Sequence, residues 1–258
     1  MSRRIVTIDA FPDGAFRHLD ADAIVCIDVM LSTTTLLTAV ALGQPVFVAP
    51  TQAAARDLSA ATAGSCLMGT DDGEQPEGFN ARDSPSAVAQ RPLQAPLVLW
   101  SPPGTELLVN AGPCRRVLVA CFRNLTATAR QLAGLGRVAL LGAGCREEFS
   151  CEDQMAAAWI GARLARDGFE PGDRRTAAMI GRWSEIDARL AGWGNSAEGL
   201  RRMGAVNDLE FVLGHVDDLG FACEYRPSGE VSACHSQETR SGAAGWRAGT
   251  ALAAGGAA

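Results

Sequence analysis

Two strand-to-helix junctions rich in acids and hydroxyls constrain this chain more than any other feature. The first runs from the apolar Ala23-Ile24-Val25-Cys26-Ile27 into Asp28, then through Leu31-Ser32-Thr33-Thr34-Thr35 into an apolar helical stretch. The second runs from Val138-Ala139-Leu140-Leu141 through Gly142-Ala143-Gly144 to Ser150-Cys151-Glu152-Asp153 and another helical stretch. Each places polar side chains where a buried strand ends and a helix begins. In open α/β sheets that edge is where ligands bind, because helix N-termini present unbonded N–H groups and favour anions. The carboxylates there suit a divalent cation or proton transfer.

The rest of the pattern agrees with such a fold. Short apolar runs suggest strands near 4–9, 23–28, 45–49, 97–100, 116–121 and 137–142. Helical periodicity suggests helices near 33–42, 51–62, 105–111, 124–134, 152–167, 174–190 and 196–203. The alternation predicts a three-layer α/β/α protein with a largely parallel or mixed sheet. In the helix at 152–167, Met155, Trp159, Ala162 and Leu164 fall broadly on one side, leaving Arg163 and Arg166 for solvent. The paired acidic junctions hint at two similar halves, 1–135 and 136–235, followed by a loose Gly/Ala-rich tail, 236–258. Residues 69–85 break the alternation with an acidic stretch punctuated by Gly and Pro. Phe79 and Arg82 inside it favour an ordered loop facing the site.

Composition excludes several classes. A net charge of −6 argues against binding to nucleic acid or an anionic membrane. No apolar stretch approaches the roughly 20 residues needed to span a bilayer, and Met1-Ser2-Arg3-Arg4 leads into no signal-like apolar core. A cytoplasmic protein is the expectation. All 23 basic residues are arginine, which removes Schiff-base chemistry and any P-loop lysine. The 8 cysteines include no C-x-x-C, and only 3 histidines are present, so neither a disulfide framework nor zinc-finger spacing is expected. Most cysteines read as small core residues, although Cys26, Cys121, Cys145 and Cys151 lie close to the polar loops. Gly142-Ala143-Gly144 lacks the remaining glycine of a dinucleotide fingerprint, and no serine sits in a G-x-S-x-G elbow. Asn207-Asp208 offers one carboxylate with only Glu210 nearby, and Asp217-Asp218 reads as a helix end or turn.

Taken in order, the loop blocks resemble the 2-phosphosulfolactate phosphatase family, a Mg²⁺-dependent group from coenzyme M biosynthesis. The family's Asp-Val-Leu-Arg-Ala-Ser-Thr-Thr stands here as Asp28-Val29-Met30-Leu31-Ser32-Thr33-Thr34-Thr35. Its Gly-Glu-Arg, Glu-Gly-Phe and Gly-Asn-Ser-Pro blocks are matched by Gly69-Thr70-Asp71, Glu77-Gly78-Phe79 and Arg82-Asp83-Ser84-Pro85. Ser101-Pro102-Pro103-Gly104-Thr105 stands for Thr-Thr-Asn-Gly-Thr, Asn124 opens the following helix, and Glu152-Asp153 keeps the acidic pair. The similarity in spacing covers roughly residues 3–232.

The resemblance implies a phosphatase-like enzyme acting on a small phosphorylated sulfonate, 2-phosphosulfolactate, with Mg²⁺ held by Asp28, Glu152 and Asp153. Thr34, Thr35, Arg82, Ser84, Gly104, Thr105, Arg123 and Asn124 are the expected substrate contacts, and a carboxylate orients water or itself attacks phosphorus. The departures fall on reactive-looking positions: the family Arg is Leu31, its Glu-Arg is Thr70-Asp71, its Gly-Asn is Arg82-Asp83, and its Thr-Thr-Asn is Ser101-Pro102-Pro103. Each well-formed bond to a charged group contributes about 1.5–3 kcal/mol, so two absent guanidinium groups leave anion binding to Arg82, Arg123, hydroxyls and helix ends. An alternative keeps the pocket and changes the reaction. Elimination, addition or thiol chemistry on a related sulfonate would then use Cys121, Cys145 or Cys151 as nucleophile, with a helix N-terminus lowering the Cys151 pKa. An inactive binding protein is the third reading. A homodimer is compatible with all three.

Overall fold

A computed structural model describes residues 3–90, 95–145 and 148–234; the tail at 236–258 lies outside them. Ten strands form one sheet. In chain order they are β1 (Ile5–Ala10), β2 (Ala23–Ile27), β3 (Val46–Val48), β4 (Cys66–Gly69), β5 (Leu97–Trp100), β6 (Val117–Ala120), β7 (Arg137–Gly142), β8 (Glu170–Pro171), β9 (Ala222–Tyr225) and β10 (Glu230–Cys234). Across the sheet they run β4-β5-β3-β10-β9-β6-β2-β7-β1-β8. Segments from both sides of residue 135 therefore interleave, with β7 hydrogen-bonded between β1 and β2.

The sheet is mixed. β8, β1, β7, β2 and β6 are mutually parallel, as are β3, β5 and β4. The hairpin β9–β10 joins these groups, antiparallel to β6 on one side and β3 on the other. Three successive reversals make the two parallel groups run in opposite senses. The hairpin closes through Gly229, whose φ of 89° and approach to the Val48 carbonyl leave no room for a side chain (an added Cβ would lie 2.7 Å from that oxygen).

Nine α-helices cover the sheet: α1 (Ser32–Ala41), α2 (Gln52–Ala61), α3 (Pro85–Gln90), α4 (Gly104–Ala111), α5 (Leu125–Leu132), α6 (Cys151–Arg166), α7 (Arg174–Trp183), α8 (Asn195–Arg202) and α9 (Val206–Gly214), among the described residues. β2 and β6 are buried at every residue, as strands covered on both faces are. The large core joins Ile24, Ile27, Leu118, Leu140, Leu36 and Ile160, while Phe47, Leu67 and Val98 face a smaller cluster with Ala55 of α2. None of the helices is long and apolar enough to cross a membrane.

Several elements differ from expectation. The helix expected over 174–190 stops at Trp183, and a 3₁₀ turn at Ala188–Trp193 follows, started by the Asp187 carboxylate accepting from Arg189 N–H at 2.8 Å. Strands β4, β8, β9 and β10 and helices α3 and α9 were not anticipated. Arg163 is not left to solvent: its guanidinium donates to Asp217 at 2.9 Å and to Thr126 at 3.0 Å. The 69–85 loop is ordered, with Phe79 packed edge-on against Trp100 and Asn80 bonded to both backbone groups of Leu67.

Candidate active site

Asp28 leaves the C-terminal end of β2, and the hydroxyls that follow it build the turn into α1. Thr33 N–H and Oγ1 both donate to the Asp28 carbonyl, at 3.0 and 2.6 Å, and Thr34 Oγ1 donates to the Val29 carbonyl at 2.8 Å. These bonds satisfy backbone groups that a buried turn would otherwise leave unpaired. The Thr34 hydroxyl thus shapes the site instead of standing free for a ligand. The Asp28 side chain is buried against the start of α4, where an added Cβ on Gly104 would sit 2.2 Å from Asp28 Oδ2. Only glycine permits that approach.

The second junction is clasped to the first through Asp153. Its Oδ1 accepts from Val29 N–H at 2.9 Å and its Oδ2 from Gly144 N–H at 3.1 Å, so one carboxylate ties the loop after β2 to the loop after β7. Glu152 is buried beside it, with the Ser196 hydroxyl nearby. The structure therefore brings Asp28, Glu152 and Asp153 together. A cavity of about 10 Å³ beside Asp153, lined by Asp9, Gly142, Gly144, Phe149 and Ser150 among others, has room for roughly one water.

A fourth carboxylate joins them from the 69–85 loop. Asp83 is 2% exposed; its Oδ1 accepts from Thr35 Oγ1, and its Oδ2 is buried without a hydrogen-bond partner. The Ser101 and Ser32 hydroxyls lie close enough to favour its charged form, yet neither closes a bond to that oxygen. Asp208 of α9 braces the same loop, its Oδ1 accepting from Ser84 Oγ, Ser86 N–H and Ser86 Oγ at 2.7, 3.0 and 2.6 Å.

Burial and mutual repulsion set the protonation of this cluster. Loss of hydration first, then the charge of Asp83, push Asp28 up to about 7. Burial, opposed by the neighbouring hydroxyls, pushes Asp83 up to about 6. Asp153 is raised well above the ordinary aspartate range by burial and by Asp28 and Glu152, and Glu152 is raised by burial. Groups held near neutrality in this way are suited to proton transfer.

The remaining expected contacts are dispersed. Arg123 is engaged bidentately by Asp218, at 3.1 and 2.7 Å, and donates to Thr38 at 2.9 Å. Asn124 bonds the Cys121 N–H and the Val119 carbonyl, and Thr105 accepts from Ser101 N–H at 3.1 Å. These three act within the scaffold as they stand. Arg82 is half-buried and makes no hydrogen bond or ion pair among the described residues. Cys145 is exposed, its backbone bridged to Glu148. Cys151 is half-buried and its thiol, 3.4 Å from Glu152 Oε2, is pushed up to about 12 by burial and by the Glu152 charge. The lowering expected from its helix N-terminus is overcome. Cys121 is fully buried and likewise raised, to about 11.

Comparison with known proteins decides the affiliation. The family model described as 2-phosphosulpholactate phosphatase matches residues 11–219. The chain belongs to the 2-phosphosulfolactate phosphatase family. A Thermotoga maritima protein named "Probable 2-phosphosulfolactate phosphatase" is 27% identical over 188 residues, covering 72% of this chain and 82% of its own. Proteins of the same name from Symbiobacterium thermophilum and Synechococcus sp. (strain CC9605) are 30% and 32% identical, over 72% and 57% of this chain and 84% and 63% of their own.

Within the family frame, Asp83 and Asp208 are the residues that sequence reasoning missed. Asp83 sat in plain view as the replacement for an expected Asn. The loop was expected to face the site, but Asp83 was noted in it only as a departure from the family pattern. Asp208 was set aside for want of an acidic partner, and that partner comes from a segment more than a hundred residues away.

Proposed function

We propose that the protein is a phosphoric monoester hydrolase acting on a small phosphorylated sulfonate, 2-phosphosulfolactate, within coenzyme M or related sulfonate metabolism. The observation that carries the reading is the meeting of Asp28 with Asp83, Glu152 and Asp153 at the strand ends of a family fold. Asp28 is the group that moves the proton. Its carboxylate takes a proton from the water attacking phosphorus and returns it to the ester oxygen as the P–O bond breaks, leaving phosphate and the free hydroxyl product. A group poised near neutrality gives up and regains that proton with little thermodynamic cost.

Family membership implies a divalent cation, which neutralises phosphate charge when bound. The expected trio of Asp28, Glu152 and Asp153 does not fit it as a ligand set. Both Asp153 oxygens already accept backbone N–H groups, and no set of three or more His, Cys, Asp or Glu side chains is positioned for a metal among the described residues. The proton path above does not depend on that trio. Thiol catalysis is disfavoured, because Cys151 and Cys121 are held as neutral thiols at physiological pH. Arg82 is the guanidinium offered to the substrate's anionic end, and cytoplasm is the proposed compartment.

The test compares phosphate release from 2-phosphosulfolactate with release from a phosphorylated hydroxy acid that lacks the sulfonate. Preference for the sulfonate by at least about tenfold is expected, in keeping with the loss of one charge-assisted contact. Equal rates, or hydrolysis of neither compound, would remove the proposed substrate.

A further inference from the structure

We infer that a cavity over the first halves of β1 and β7 binds a small hydroxy acid, apart from the carboxylate cluster at the far end of the sheet's strands. β1 alternates between two faces: Val6, Ile8 and Ala10 are buried, while Ile5, Thr7 and Asp9 are half-buried on the opposite side. Register places Arg137 beside Ile5 and Ala139 beside Thr7 on that second face. There the strands do not close against the His18–Ala21 turn. A cavity of about 190 Å³ remains, lined by Ile5, Thr7, His18, Ala21, Arg137 and Gly172 among others. A space of about 150 Å³ accepts a molecule the size of benzene, so this one holds a compact organic ligand. Ile5 and Arg137 open their strands. They lie roughly 16 Å from the strand ends where Asp28, Glu152 and Asp153 gather, at about 3.3 Å per residue.

The polar groups around this cavity are left for a ligand to complete. His18 Nε2 lies 3.1 Å from Asp9 Oδ2. Against the cost of partial burial, His18 and Arg17 keep the Asp9 carboxyl ionised. A carboxylate only accepts, so in the neutral ring Nε2 carries the hydrogen and Nδ1 presents a lone pair. Nδ1 makes no hydrogen bond among the described residues, and neither does the Thr7 hydroxyl. Gly172 leaves that hydroxyl uncovered, since an added Cβ there would lie 2.5 Å from Thr7 Oγ1. Arg137 is exposed and pairs through Nη1 with Asp20 at 2.6 Å, which leaves its other N–H groups open. Charge favours an anion. Arg17 at 2.8 Å and Arg175 at 3.6 Å share the Asp9 carboxylate, so positive charge is in excess around it, in a chain of net charge −6. The complementary molecule has three parts: a carboxylate for Arg137 and the Thr7 hydroxyl, a hydroxyl that donates to His18 Nδ1, and a short apolar body against Ile5 and Ala21. A hydroxy acid of the size of lactate supplies all three. Binding here is independent of the phosphatase reading.

The experiment is a lactate titration of the full-length protein labelled with ¹⁵N-histidine, followed by NMR of the imidazole nitrogens. His18→Gln assigns the His18 signals among those of the 3 histidines. A saturable shift of His18 Nδ1 is expected with lactate. Propionate lacks the hydroxyl and should bind at least about fivefold more weakly, because it leaves Nδ1 without a donor. Lactate should bind Thr7→Val more weakly by a similar factor, about fivefold or more, for want of one bond to the carboxylate. Valine is branched like threonine and suits a strand, so this variant keeps the fold. No saturable His18 shift with lactate, or equal binding of lactate and propionate by the wild type, would overturn the assignment. So would equal lactate affinity in Thr7→Val, or an equal His18 shift with inorganic phosphate at the same concentration, the mark of a general response to anions.

Discussion

Asp28 does two opposing things, and a single substitution separates them. Its buried charge costs stability, while the proton it exchanges serves catalysis. Asp28→Asn should therefore keep or raise Tm while phosphate release falls by at least about 100-fold, the usual scale of acid–base assistance. Parallel loss of fold and activity in circular dichroism and assay would make Asp28 merely structural. The cysteines give the contrasting case. A Cys151→Ser variant should retain activity within about twofold, because burial and the Glu152 charge hold the Cys151 thiol neutral and leave it inactive as a nucleophile. A large drop in kcat would restore thiol chemistry. Asp28, Glu152 and Asp153 were legible from sequence because they follow apolar strands, where a polar residue stands out. Asp83 and Asp208 were not, since an acid in a polar loop or in the first turn of a helix is usually solvated, and their approach depends on tertiary contact.

At the level of elements, the arginine expected to bind substrate instead fastens one loop to another. Arg123 is buried between Asp218, Thr38 and the Phe211 ring, whose centroid lies 5.4 Å from the guanidinium carbon. Asp218→Ala strands that cation and should cost about 3 kcal/mol, read by urea unfolding, with little direct effect on substrate affinity. A raised KM at unchanged stability would return Arg123 to the substrate. The β9–β10 hairpin depends in the same way on Gly229. Gly229→Ala meets both a φ of 89° and the Val48 carbonyl, so about 1–3 kcal/mol should be lost. The alternating helices and strands of the first half were readable from periodicity. This hairpin was missed because Ala222-Cys223-Glu224-Tyr225 lacks a long apolar run, and its Pro227-Ser228-Gly229 turn was the only local signal.

For the whole molecule, pH works against the fold from both directions. Asp28 and Asp83 have folded pKa values above the ordinary aspartate value of 3.8, so the folded state binds more protons than the unfolded one between about 4 and 7 for Asp28 and between about 4 and 6 for Asp83. Stability should fall as pH rises through that window. Asp9 acts oppositely. Against the cost of partial burial, His18 and Arg17 hold its carboxyl far below the usual range, so its contribution is present above pH 4 and lost in acid. Thermal melts across pH 3–8 check both signs. The mixed sheet itself was expected, but the opposed senses of its two parallel groups were not, because strand direction is set by the late hairpin.

Hydrolysis of a phosphorylated sulfonate is proposed to run on the buried carboxylates gathered around Asp28. Phosphate release from 2-phosphosulfolactate by the full-length protein, alongside a folded Asp28→Asn variant, tests it most directly. Turnover by the wild type and at least about a 100-fold loss in the variant, with its Tm kept or raised, are expected. Equal turnover by both proteins, or none by the wild type with Mg²⁺ supplied, would contradict it.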